Sequence, residues 1–137
     1  MTILSIDPGE STGWVTWLSG ADRLQGGTIK HNRKQLWNLL TTIQPAIIVF
    51  EEFVLYPTHA KSLIWNTFYT CEIIGIIKLY VDLTPNVKLV KQSASNKKYS
   101  GAKSSDELWQ SLIGKTTNHT FDAYIHLVYY LRTNKRS

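Results

Sequence analysis

The sequence predicts an α/β fold on three observations. Ile3 to Ile6 is a short apolar run with a β-branched residue at each end, of the kind that packs as a buried strand. Ala46 to Phe53 begins with a continuous apolar run, as in central parallel strands covered on both faces. Around these runs lie longer segments with apolar residues at helical spacing, and the elements follow in the order βββαβαβαα.

In the first strand, Pro8-Gly9 halts the extended run, leaving Asp7 at its end. Gly13 to Leu18 and Arg23 to Lys30 are strand-like and joined by Ser19-Gly20-Ala21-Asp22, a hairpin connection. Residues 32 to 44 place Leu36, Leu39, Leu40 and Ile43 on one helical face, with Asn32 as the cap and Pro45 as the stop. Glu51 stands where the next strand, Ala46 to Phe53, loses its apolar character. Residues 58 to 82 are rich in apolar side chains but interrupted by Lys61, Asn66, Glu72 and Lys78, which predicts an amphipathic helix; Gly75 permits close packing there. Val87 to Gln92 is a short strand. The polar, basic stretch SASNKKYSGAKSSDE after it has the composition of a mobile loop. A short helix starts at Ser104 or Ser105 and runs to about Ile113, and a last helix over residues 120 to 131 presents Phe121, Tyr124, Ile125, Val128 and Leu131 on its apolar face.

A chain of 137 residues, 43% hydrophobic, has the size and apolar content of one domain, here residues 1 to 137. Fifteen Lys and Arg against ten Asp and Glu give a net charge of +5, which favours a polyanionic partner such as nucleic acid. The single Cys71 excludes an internal disulfide and a cysteine-anchored zinc site; it reads as a buried thiol in a reducing compartment. No stretch reaches the roughly twenty apolar residues of a membrane span, and the N-terminus lacks a signal-like pattern, so a soluble intracellular protein is expected.

Acids at the ends of neighbouring strands converge beyond the sheet edge in α/β folds, which makes Asp7 and Glu51 candidates for one site. His119 and Asp122 are three residues apart on the last helix and share one side of a turn. Such a cluster suits metal-assisted phosphodiester cleavage, with carboxylates holding hard cations such as Mg²⁺. Each residue alone also reads as a strand-end charge, a helix N-terminal charge or a cap. Strand alternation turns Glu52 to the face opposite Glu51.

Taken together, I-D-P-G-x-S-T-G-W at residues 6 to 14, an apolar strand ending in Glu51, a long helix, V-K-Q with a basic loop, and H-x-x-D-A at residues 119 to 123 resemble the RuvC-type Holliday junction resolvases of the ribonuclease H-like superfamily, in a compact phage or bacterial form. The resemblance spans nearly the whole chain. It implies a ribonuclease H-like fold with a mixed five-stranded sheet of order 3-2-1-4-5 flanked by helices. It also implies a homodimer and paired nicking of four-way DNA junctions with Mg²⁺ or Mn²⁺, two ions per site, in bacterial or phage-infected cytoplasm.

It maps the catalytic and metal-holding residues onto Asp7, Glu51, His119 and Asp122, and the substrate-assisting basic residues onto Lys91 and Lys103, with Lys97 and Lys98 in the same basic loop as DNA contacts. The family's wedge position falls on Val54, a departure that bears on the junction-centre contact, and the flanking Phe53 and Tyr56 are the expected aromatic DNA contacts. In this frame Asp7 projects from a rigid strand end, Gly9 provides backbone clearance, and Ser11 and Thr12 either contact phosphate or hydrogen-bond within the turn. The competing readings are a nuclease for flaps, forks and other branched DNA, an ATP-binding module of the actin and sugar-kinase type, and a non-catalytic DNA-binding scaffold. The absence of a duplicated second domain weighs against the ATP-binding module, and the four-residue cluster weighs against the scaffold.

Overall fold

The computed structural model describes residues 1–21, 23–52, 64–112, 114 and 116–134. Five strands, β1 (Thr2–Asp7), β2 (Ser11–Leu18), β3 (Leu24–Lys30), β4 (Ile47–Glu51) and β5 (Lys88–Gln92), form one sheet in the order β3-β2-β1-β4-β5. The β3-β2-β1 half is antiparallel and the β1-β4-β5 half parallel. The helices are α1 (Arg33–Ile43), α2 (Ile64–Leu83), α3 (Glu107–Gln110) and α4 (Asn118–Thr133). The fold class and strand order are those expected.

Alternation along the strands divides the core into two layers. Leu4, Ile6, Ile48 and Phe50 face α1 and α2, where Leu36, Leu40, Ile73 and Ile77 meet them. Ile3, Val15, Ile47 and Val49 face α4 and its Ala123, Tyr124 and Leu127. Burying each such aliphatic side chain contributes about 1.5–3 kcal/mol, so a one-residue slip of either central strand would invert both layers. The same alternation sends Asp7 and Glu51 to the α4 face, and the register that pairs Ile6 with Phe50 brings them together one step further on.

The N-terminus of α4 is seated on the sheet by hydroxyl groups. Thr117 and Thr120 form a capping box, Thr28 Oγ1 lies 2.7 Å from Thr117 Oγ1, and Thr120 Oγ1 donates to the Gly27 carbonyl at 3.2 Å. Ser5 Oγ, wholly buried, donates to the Ala123 carbonyl at 2.7 Å. Gly13 makes this approach possible, since a Cβ there would stand 1.9 Å from the His119 carbonyl oxygen. A Cβ at Gly9 would be in ordinary contact, 3.4 Å from the Ser11 carbonyl, so the backbone clearance expected of Gly9 belongs to Gly13.

The basic stretch after β5 departs from the expected mobile loop. Residues Ala94–Tyr99 form a 3-10 helix capped by Ser93, whose Oγ accepts from the Ser95 N–H. Arg132 on α4 donates to the Ser100 carbonyl, while Asp106 accepts from the Lys103 N–H and the Tyr124 hydroxyl. Polar composition signals a loop, but these tertiary hydrogen bonds order it. The helix expected to reach Ile113 shortens to α3, and α4 extends at both ends beyond residues 120 to 131. Cys71 is exposed on α2, correcting the expectation of a buried thiol. Phe53, Val54, Tyr56 and the expected start of the long helix near Thr58 lie outside the described residues. Among the described residues no helix is long and apolar enough to cross a membrane.

Candidate active site

The ends of β1 and β4, the first two turns of α4 and the 3-10 helix surround an open cleft of about 440 Å³. Asp7, Glu51, His119 and Asp122 all line it, with Lys97, Glu10, Ser11 and Thr70. Asp7 and Glu51 are largely buried, whereas His119 and Asp122 stand toward solvent. His119 Nδ1 lies 3.6 Å from Asp7 Oδ2. One donor atom from each of Asp7, His119 and Asp122 falls within 4.8 Å of the others.

Lys97 reaches into this cluster, with Nζ 3.4 Å from Glu51 Oε1 and 3.5 Å from Asp122 Oδ2. Burial lowers its pKa, but attraction to Glu51, Asp122 and Asp7 outweighs burial and raises it, so the ammonium stays charged. Burial also pushes the Asp7 carboxyl up, reinforced by its hydrogen bond to Glu51 and by repulsion from Glu51 and Asp122, to about 8. Burial acts upward on Glu51 too, but the polar approach of the His126 ring at 3.5 Å, a hydrogen bond from Asp7 and the Lys97 charge prevail and hold it at about 2. Two adjacent carboxyl groups thus share one proton at neutral pH.

This donor set fits a divalent cation. Two carboxylates and an imidazole lie within reach of one another, and the excess negative charge is held in check by a proton and a lysine that a cation would replace. The imidazole suits Mn²⁺ better than Mg²⁺, while the carboxylates accept either.

The remaining predicted residues fall in several places. Lys91 is exposed, and in register with Phe50 it takes the sheet face opposite Glu51 and Gln92. Lys98 and Lys103 are exposed. Glu52 is exposed and extends the pairing by donating its N–H to the Gln92 carbonyl at 2.7 Å. Thr12 is buried and its hydroxyl donates to the Gly9 carbonyl at 3.0 Å, a bond within the turn, while Ser11 borders the cleft.

One residue of the site escaped the sequence reading. His126 is wholly buried, with Nδ1 2.6 Å from Gln92 Oε1 and Nε2 3.5 Å from Glu51 Oε1. The available signal was its spacing, four residues after Asp122 and seven after His119, which puts all three on one side of α4.

No family model and no curated protein matches the sequence. Solved structures do. The Thermus thermophilus RuvC in complex with a Holliday junction substrate superposes with a TM-score of 0.69 at 13% identity, over 98% of this chain and 96% of that one. The fowlpox virus Holliday junction resolvase gives 0.61 at 13% identity, over 97% and 99%. The yeast mitochondrial Holliday junction resolvase gives 0.65 at 11% identity, over 95% and 78%. The chain therefore has the ribonuclease H-like fold of these resolvases.

Proposed function

We propose that this protein is a metal-dependent endonuclease that resolves four-way DNA junctions by paired nicks. The observation that carries the reading is the convergence of Asp7, Glu51, His119 and Asp122 from three separate elements on one open cleft, beside a buried-edge lysine. Three solved resolvases of bacterial, viral and mitochondrial origin sharing the fold over nearly the whole chain support the substrate class.

Asp7, His119, Asp122 and Glu51 would hold the ions, two per site, with Mg²⁺ as the metal and Mn²⁺ as a substitute. Bound divalent ions supply Lewis-acid stabilisation of the attacking and leaving oxygens of a phosphodiester. Asp7 would release its proton to solvent on taking up an ion. Lys97, already charged, offers Nζ to the scissile phosphate and balances the charge that develops there. Lys98 and Lys103, exposed in the same basic segment, contact the DNA backbone and make binding fall steeply with salt.

Paired nicks require two sites, and a homodimer provides them by symmetry. Cys71, Gly75 and Leu79 follow one another at helical spacing on the exposed side of α2, and among the described residues nothing lies within 4 Å of a Cβ at Gly75. An apolar stripe with a small residue at its middle suits a second copy of the same helix. A DNA substrate and an exposed cysteine fit an intracellular, reducing setting.

Two measurements check this reading. Labelled four-way junction, flap, fork and linear duplex, each with Mg²⁺, Mn²⁺ or chelator, should show metal-dependent cutting strongest on the junction. Equal cutting of flaps and forks favours the broader branched-DNA nuclease, and no metal-dependent cutting of any substrate overturns the proposal. Lys97→Ala is expected to slow junction cleavage about 10²–10³-fold, the usual cost of one charge-stabilising donor, while Lys91→Ala stays within about threefold. Equal losses would remove Lys97 from the site.

A further inference from the structure

We propose that His126 is a positioning residue that holds the Glu51 carboxylate in place through Nε2, with Gln92 fixing the ring from the other side. The inference rests on the reading of Glu51 as a metal-holding carboxylate. His126 is 0% exposed, and among the described residues its Nε2 is the one buried side-chain polar atom without a hydrogen-bond partner. A buried polar nitrogen left unsatisfied costs about 1–3 kcal/mol, so a fold that keeps one there needs a partner for it. The acceptor that Nε2 faces is Glu51 Oε1 at 3.5 Å, slightly beyond hydrogen-bonding distance.

The other end of the ring is firmly held. Nδ1 lies 2.6 Å from the Gln92 amide, and Gln92 is itself 4% exposed, at the end of β5 in register with Glu51. With the Gln92 amide turned to donate to Nδ1, the ring is the neutral tautomer that carries its hydrogen on Nε2. That arrangement leaves an N–H aimed at Glu51.

Lys97 Nζ approaches the same Oε1 from the cleft side at 3.4 Å. The two donors differ in their anchoring. Lys97 sits on a long, partly exposed stem, free to turn toward a phosphate, whereas His126 is locked between α4 and β5. When Lys97 turns to substrate, His126 keeps one oxygen of Glu51 directed inward and leaves the other for the ion. Outer partners of this kind orient the ligands of metal sites, and losing one lowers metal affinity about 10–100-fold.

The test uses the full chain and Mn²⁺ alone, by titration calorimetry, on wild type, His126→Phe and His126→Gln. Phenylalanine fills the volume without a donor, and glutamine restores an N–H near the Nε2 position. His126→Phe should bind Mn²⁺ about 10–100-fold more weakly, and His126→Gln should recover most of that loss. Wild-type affinity in His126→Phe, or equal losses in both variants, overturns the role. Failure of the wild type to bind Mn²⁺ overturns the metal centre and this role with it. Should His126→Phe not fold, nitrogen NMR of the wild-type imidazole during Mg²⁺ titration decides. The His126 Nε2 resonance should move with the midpoint of ion binding, and a stationary resonance while His119 moves contradicts the proposal.

Discussion

Asp7→Asn is expected to lower four-way junction cleavage at least about 10³-fold, more than the 10–100-fold typical of losing an outer partner, because the amide removes a ligand charge from the centre of the cluster. Junction binding should persist, since the basic segment is untouched. Glu51→Gln should behave alike, and Glu52→Gln should retain most activity, its side chain being exposed beyond the strand end. The same Asp7 variant has an opposite effect on stability. Folding raises the Asp7 pKa from 3.8 to about 8, so in this window the folded chain binds a proton that the unfolded chain has released. Metal-free stability therefore falls as pH rises between those values. Asparagine carries no charge to bury, so Asp7→Asn should melt at least about 4 °C above metal-free wild type near pH 8, a shift of about 1 kcal/mol in a domain of this size. Added Mg²⁺ should raise the melting temperature of the wild type and leave that of the variant unchanged. An Asp7→Asn protein that cleaves at the wild-type rate would remove Asp7 from the chemistry.

Gly13→Ala is expected to be the most damaging small substitution outside the acids. The added methyl would stand 1.9 Å from the His119 carbonyl oxygen and 2.5 Å from the Thr120 nitrogen, backbone atoms that move only if α4 moves. Urea unfolding should show a loss of about 3 kcal/mol or more, at the upper end of overpacking costs. Protein that does fold should cleave poorly, because a displaced helix carries His119 and Asp122 away from Asp7. Gly9→Ala, in ordinary contact only, should stay within about 1 kcal/mol of wild type. A Gly13→Ala protein of unchanged stability and activity would mean that the α4 approach is loose.

The residues that sequence reading found are those whose position follows from local pattern. Asp7 and Glu51 end apolar runs, and period-two alternation assigns their side chains to one face and that of Glu52 to the other. His119 and Asp122 share a helical turn. What escaped depends on contacts distant in sequence. Lys97 reads from sequence as one of several DNA-contacting lysines, and its place beside the acids is set by the 3-10 helix, pinned by Arg132, which turns it rather than Lys91 toward them. Gln92 and His126 meet across β5 and α4, 34 residues apart. Thr28, Thr117 and Thr120 look like ordinary polar residues until β3 and α4 are brought together. Cys71 was misplaced because an apolar neighbourhood in sequence does not tell which side of a helix is covered.

The central claim is that this cluster cuts two opposed strands of a junction. The most direct measurement uses a supercoiled plasmid that extrudes a cruciform, incubated with the protein and Mg²⁺ or Mn²⁺. The account predicts linear product, formed by paired nicks at the cruciform, absent with chelator and absent with Asp7→Asn. A plasmid that stays supercoiled with both metals, or is cut equally well by Asp7→Asn, would contradict it.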